Sequence, residues 1–255
     1  TAVLDLASGG RFELGVGRGY REHEFKGFAV NIKQRKGMTE EGIEIMQRAW
    51  TGERFSFSGK YYQVENAKLS PLPVQRPPPV WLGAVSAKAR REIAQAGHPL
   101  LISLITDVEE TKQEFSDHTN ALVAFGRNPA DFPRALIREF YVADDNETAW
   151  REVKPHFLHI YRNVYCPPYL AFYDNNDDGS RRLVTDPMDE YMESERFRKD
   201  RHIIGDPEFC AQQLRRYRDD VGIENIILRM QFPGQPNDQV MKSLELLVNE
   251  VIPRV

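Results

Sequence analysis

The chain has 255 residues, 41% hydrophobic and 28% charged, with a formal net charge of −4. That balance fits a water-soluble globular protein; its acidity favours neither nucleic acid nor an anionic membrane, and no apolar run reaches the length of a membrane span. The two cysteines, Cys166 and Cys210, make no metal or redox spacing and, with no secretory signal visible, are expected as free thiols of a cytoplasmic protein.

In chain order, residues 1–8 look like the end of a helix whose beginning is missing, closed by Gly9-Gly10. An apolar strand, Arg11 to Val16, then runs into a loop with Gly15, Gly17 and Gly19 at alternate positions and Arg18 between them. Glycine allows close backbone approach to a ligand, and arginine offers a fork of donors suited to phosphate. The stretch therefore reads as an anion site at a strand end, and equally as a tight turn with a solvated arginine. Glu22 stands where the dinucleotide fingerprint needs its last glycine.

A polar segment anchored by Phe25 and Phe28 precedes a helix over Lys36–Trp50, with Ile43, Met46 and Trp50 on its core face. Residues 52–78 read as an excursion: a β-hairpin around Ser58-Gly59-Lys60, then a proline-stiffened connection. Residues 79–85 form a buried strand, Ser86 is a helix N-cap, and the helix AKARREIAQA ends at Gly97. Another buried strand covers 100–105. Asp107 with Glu110 opens a helix that ends near Gly126, and 135–142 is a further strand.

Residues 144–205 are the least regular. Thr148 to Tyr165 is expected to be helical, with Pro155 breaking or kinking it. Asp174 to Gly179 resembles the start of a calcium loop, but Thr185 occupies the bidentate-glutamate position, so a solvated acidic loop suffices. His156 and His159 lack a carboxylate or cysteine partner and read as surface or packing residues. Asp206-Pro207-Glu208 starts a helix with Phe209, Leu214, Tyr217 and Val221 inward, ended by Gly222. Residues 224–232 form a strand. The last helix, 237–252, shows an apolar face of Val240, Met241, Leu244, Leu247, Val248 and Val251.

Alternating strands and helices mean βα units and a parallel sheet. Five main strands are visible where a closed (β/α)8 barrel needs eight. Either the sheet is open and doubly wound, or the first three βα units of a barrel are absent from this chain; the headless first helix favours the second. Ligands sit at strand C-termini in both, where Arg18, Ser86 and Arg35 lie. Taken singly, Ser86 is also a plain cap and Arg35 a surface charge.

The blocks LDLASGGRFELGVGRGYREHEF, VWLGAVSAKARREIAQAGHPLLISLI and the closing GDPEFCAQQLRRYRDDVGIENIILRMQFPGQPNDQVMKSLELLVNEVIPRV resemble the bacterial luciferase-like flavin monooxygenases. The resemblance implies a single (β/α)8 TIM barrel domain over 1–255, with these residues supplying its fourth to eighth strands. It implies bound reduced FMN, its phosphate held by Arg18, Arg35 and Ser86, with Gly17 and Gly19 in the loop and Val85, where luciferases often carry glutamate, contributing a backbone N–H. The family's catalytic histidine lies in strands that nothing here matches, so no catalytic acid or base is named, and no metal. The implied reaction uses reduced FMN and O2 to oxidise an aldehyde or other small organic substrate, with a separate flavin reductase as partner and a homodimeric assembly. Two alternatives stay open: a deazaflavin-dependent oxidoreductase, disfavoured by Arg18, and a non-catalytic flavin-binding or partner subunit.

Overall fold

The computed structural model describes residues 1–102, 104, 106–165, 173–175, 181–183, 197 and 201–255. Cys166 and Thr185 lie outside them, as does most of the acidic stretch 174–179. The chain divides into two units, Thr1–Gly83 and Ala84–Val255.

In the first unit a short helix α1 (Ala2–Ala7) leads to strand β1 (Leu14–Val16), which pairs in parallel with β4 (Val80–Gly83), Leu14 opposite Val80 and Val16 opposite Leu82. The strand begins three residues later than the hydrophobic pattern suggests because Arg11 and Phe12 bond elsewhere. Arg11 N–H donates to Ser8 Oγ (3.2 Å), and the Phe12 carbonyl accepts from Gln75 Nε2 (2.6 Å). Gln75 is itself clamped by Asp5, whose carboxylate accepts its backbone N–H at 2.9 Å and its amide at 2.7 Å. Helix α2 (Glu22–Gly27) and the long α3 (Arg35–Trp50) follow, α3 burying Ile43 and Trp50. The expected hairpin is present as β2 (Phe55–Ser58) antiparallel to β3 (Gln63–Ala67). Its turn is tied to α3 by Glu41, whose carboxylate accepts the backbone N–H groups of Lys60, Tyr61 and Tyr62 at 2.8, 2.9 and 3.0 Å.

In the second unit α4 (Ala87–Ala96) leads to β5 (Leu100–Ile102), α5 (Val108–Ala124) and β6 (Ala135–Val142), then α6 (Asn146–Ile160). Short strands β7 (Tyr173–Asn175) and β8 (Arg181–Leu183) pair with each other in antiparallel fashion. The chain continues with β9 (Ile203–Gly205), α7 (Pro207–Arg216), β10 (Asn225–Arg229) and α8 (Asn237–Leu246). Strand β6 is the axis of this unit. It pairs in parallel with β5 and β10 near its start, and with β9 at Phe140–Val142. Two N-caps foreseen in the sequence form: the Asp107 and Glu110 capping box on α5, and Asp206 accepting the Phe209 N–H at 2.8 Å on α7. No helix among the described residues is long and apolar enough to cross a membrane.

Three expectations need correction. Of the two outcomes expected at Pro155, the break does not occur: helix α6 continues through it. Pro155 and Arg151 both lie on the exposed face, where water can satisfy the carbonyl that loses its N–H partner, while Asp145 caps the helix and Val153, Phe157 and Ile160 anchor the buried face. Strand β9 was not visible in the pattern, since three residues between an irregular stretch and a helix cap give no periodicity. The last helix turns its apolar face only partly inward: Leu247 and Val251 are buried, but Met241, Leu244 and Val248 are exposed. The buried residue on α8 is Ser243, 1% exposed, whose Oγ accepts the Val142 N–H at 2.9 Å. The end of β6 presents a buried donor that only a polar side chain can satisfy.

Ser243→Ala should therefore lower the unfolding free energy by about 1–3 kcal/mol, the cost of stranding a buried N–H. Urea unfolding of the whole chain measures this; no loss of stability would mean that the Val142 N–H finds another acceptor.

Candidate functional site

The glycine loop leaves β1 at its C-terminal end. A Cβ at Gly17 would meet nothing within 4 Å, so the backbone there is open to approach. Gly19 has φ +73°, and a Cβ on it would lie 2.9 Å from the Phe25 ring, so only glycine fits under α2. Arg35, the first residue of α3, reaches back and donates from Nη1 to the Gly19 carbonyl at 3.1 Å. Arg18 leans the same way, with Nη2 3.8 Å from Glu40 on α3, and Lys36 Nζ stands 3.8 Å from the same carboxylate. The structure thus brings Arg18 and Arg35 onto one loop beside a helix N-terminus whose first turn holds no acid. Cationic donors, helix dipole and open glycine backbone make a set that fits a phosphate.

In the second unit Ser86 is the N-cap of α4, its Oγ accepting the Ala89 N–H at 3.2 Å. The cap leaves the hydroxyl proton available as a donor, and the N–H groups of Ala87 and Lys88 have no acceptor within their helix. No acidic residue sits in this first turn. Val85, 65% exposed, is held through its carbonyl, which accepts from Arg90 Nη1 at 3.0 Å. Arg90 is locked in turn by Glu114 at 2.9 Å and Asp117 at 3.0 Å, both on α5. The helix start is thus rigid and rich in donors, and it too fits an anion.

A third cluster escaped the sequence reading. Arg138 and Glu139 are neighbours on β6, and both side chains are fully buried. Successive residues of a strand face opposite ways. Arg138 turns toward the helices, donating to the Thr106 carbonyl (2.7 Å), Thr111 Oγ1 (2.9 Å) and the Tyr217 hydroxyl (2.9 Å). Glu139 turns to the other face, where its register partner across the ladder, Arg229, forms an ion pair with it. His202, just before β9, brings Nδ1 to 3.3 Å from the second carboxylate oxygen of Glu139. The rings of Phe157, Phe197 and Tyr161 enclose this imidazole, with centroids 4.7, 4.8 and 5.5 Å away. Burial, helped by the charges of Arg138 and Arg201, holds His202 well below its ordinary pKa and hence neutral. A signal existed in the sequence: two adjacent charges interrupt the apolar run ALIREFYV, and a buried charge requires a partner. His156 and His159, expected as surface or packing residues, are half-buried and exposed respectively, with His156 Nδ1 near the Pro233 carbonyl at 3.1 Å and His159 Nδ1 near the Asn163 amide at 3.2 Å.

A family model described as luciferase-like monooxygenase matches residues 1–224. An uncharacterized protein of Sinorhizobium fredii is 31% identical over 56% of this chain, a stretch that spans 41% of that relative's length. The alkanal monooxygenase alpha chain of Aliivibrio fischeri is 22% identical over 98% of this chain and 73% of its own. The oxygenase component of the flavin-dependent trigonelline monooxygenase of Acinetobacter baylyi is 23% identical over 99% and 70%. Among solved structures, a monooxygenase from Streptomyces bottropensis has a TM-score of 0.77 at 19% identity, covering 99% of this chain and 71% of that one. The oxygenating constituent of 3,6-diketocamphane monooxygenase from Pseudomonas putida, in complex with FMN, scores 0.70 at 17% identity, covering 99% and 73%. A secondary alcohol dehydrogenase dependent on the deazaflavin coenzyme F420 scores 0.68 at 19% identity, covering 100% and 72%. These structural likenesses show the fold: α/β, with the parallel strands of luciferase-like TIM barrels.

The neutral state of His202 has a consequence for stability. In the unfolded chain it takes up a proton near 6.5, whereas in the folded chain it resists protonation to well below that value. The unfolded state therefore binds more protons as pH falls through 6.5, and stability declines there by up to about 1.4 kcal/mol per pH unit. His202→Gln should flatten this decline when urea unfolding is compared at about pH 7 and about pH 5. An unchanged acid sensitivity would assign the decline to other groups.

Proposed function

This chain belongs to the luciferase-like monooxygenase family, and on that premise we propose that it is a flavin-dependent oxygenase that uses reduced FMN and O2 to oxidise an aldehyde or another small organic molecule. The observation that carries the FMN reading is the glycine loop, where Arg18 and Arg35 converge on an open backbone. When bound, reduced FMN supplies the electrons that activate O2.

Within this reading the chain's own residues bind, orient and shield. Arg18 and Arg35 take phosphate oxygens as charge-assisted donors, while Gly17 and Gly19 let the loop follow the anion. In the second unit Ser86, through its hydroxyl, the first N–H groups of α4 and the backbone N–H of Val85 offer neutral donors to the flavin, in a turn that Arg90 keeps in position. The aromatic cluster of Phe157, Tyr161 and Phe197 keeps water from the C-terminal end of β6. Support for an oxygenase comes from the names of relatives, an alkanal monooxygenase and the oxygenase component of a trigonelline monooxygenase. The second of these names is that of one component of a larger system, which supports a separate flavin reductase as partner here. The proposed assembly is a homodimer.

A second reading, hydride transfer with a deazaflavin coenzyme, is favoured by the similarity to the F420-dependent alcohol dehydrogenase. The two diverge at Arg18, which suits the terminal phosphate of FMN.

Arg18→Ala should weaken FMN binding about ten- to a hundredfold, the worth of one charge-assisted hydrogen bond of about 1.5–3 kcal/mol. Riboflavin, which lacks the phosphate, should lose far less. Fluorescence titration of both flavins against the two proteins tests this, and equal losses would move Arg18 from the phosphate to the fold or the ring. Preference of the unaltered chain for a deazaflavin coenzyme over FMN would favour the second reading.

A further inference from the structure

Glu110, Glu114 and Asp117 follow one another at i, i+4 and i+7 on α5 and so share one face of that helix. Arg201 meets Glu110 at 3.0 Å, and Arg90 on α4 divides itself between Glu114 at 2.9 Å and Asp117 at 3.0 Å. One guanidinium thus faces two carboxylates. Asp117 is the better solvated of the two, with 33% of its side chain exposed, and it also accepts from Gln113 Nε2 at 2.8 Å. Glu114 is only 16% exposed.

The Arg90 Nη1 group that meets Glu114 is the one that holds the Val85 carbonyl, at 3.0 Å. The buried Nε–H of Arg90 has no acceptor among the described residues. Within them, the guanidinium is steadied by Nη1 and Nη2 alone. A charge-assisted bond is about twice as strong as a neutral one. Neutralising Glu114 would therefore weaken the contact that sets Nη1 against the turn and leave Asp117 as the single counter-charge.

The geometry points to Glu114 as a proton-operated latch on the turn before α4: ionised, it fixes Arg90 on the Val85 carbonyl, and protonated, it lets that hold loosen. Burial, with the like charges of Glu110 and Asp117, outweighs Arg90 and Arg138 and pushes the Glu114 carboxyl up to about 7. The latch would then work in the neutral range, closed above that value and slack below it. His118, one turn further along α5, is held below its ordinary value by burial and by the charges of Arg134 and Arg90, so its own charge change lies at lower pH. The donors that the latch orders are those of Val85, Ser86 and the first turn of α4. That they serve a flavin rests on the reading above, whereas the latch itself does not.

The test follows the side-chain carboxyl carbon of Glu114 and the backbone amides of Val85 to Arg90 by NMR, in the whole chain, between about pH 5.5 and about pH 8.5. The carbon and the amides should move together with a midpoint near 7. In Glu114→Gln, which keeps an acceptor and loses the charge, the amides should stay at their low-pH positions throughout. A Glu114 midpoint in the ordinary carboxylate range, or amides that do not follow the carbon, overturns the latch. Amide shifts that persist in the Gln variant do the same, since they belong to another group. Should that variant fail to fold, the unaltered chain decides: a shared midpoint supports the latch, and separate midpoints overturn it. FMN titrated at both ends of the range tests the consequence for binding. Its affinity should fall at least about threefold more toward low pH in the unaltered chain than in the Gln variant. An equal fall in both overturns control of the site, whereas a turn that switches in a chain that binds no FMN at either pH sinks the flavin reading alone.

Discussion

Two opposite charges on consecutive residues of one buried strand constrain the second unit more than any other feature. Arg138 and Glu139 cannot be solvated, and the alternation of a strand sends them to opposite faces. Each face must then supply its own compensation. On the helix side, Thr106, Thr111 and Tyr217 converge on the guanidinium. On the other side, β10 must lie in the register that sets Arg229 opposite Glu139. A slip of one residue would strand both charges, so the polar pair fixes β10 against β6 where apolar residues alone would tolerate sliding. The neutral His202, just before β9, stands beside the second oxygen of Glu139 at the same end of β6.

The first unit is organised by a different device, single side chains that bond backbone groups. Asp5 holds Gln75, Gln75 holds Phe12, and Glu41 gathers three successive N–H groups at the hairpin turn. These bonds tie segments far apart in sequence. They also explain why β1 is shorter than its apolar run, since Phe12 serves the clamp and Arg11 bonds Ser8 before the ladder begins.

Much of this architecture was legible in the sequence because local chemistry carries it. The caps at Ser86, Asp107 and Asp206 and the left-handed stops at Gly97 and Gly222 are each decided by a few adjacent residues. The five main strands announce themselves by apolar runs, and the glycine loop by its spacing. What stayed hidden depends on partners distant in the chain. Nothing near Ser243 tells that it meets the Val142 N–H, about a hundred residues away. Nothing near His202 names Glu139. Pro155 does not break α6, because the local rule ignores which face of a helix the proline occupies. The proposed phosphate-binding residues fall between these cases. Arg18 and Arg35 were singled out from their positions, and the structure joins them on one loop, but the lock that Arg90 places on Val85 comes from α5 and has no local signature.

That lock has an evolutionary side. The turn before α4 is gripped through a carbonyl, so its shape is indifferent to the side chain at position 85 and depends instead on Glu114 and Asp117. Position 85 is thereby released to vary, and a valine can stand there without disturbing the helix start. The constraint moves to two acids on the next helix, Glu114 and Asp117, which hold Arg90. A substitution at position 85 should therefore be tolerated more readily than one at 90, 114 or 117, where loss of a single partner leaves a half-buried charge uncompensated.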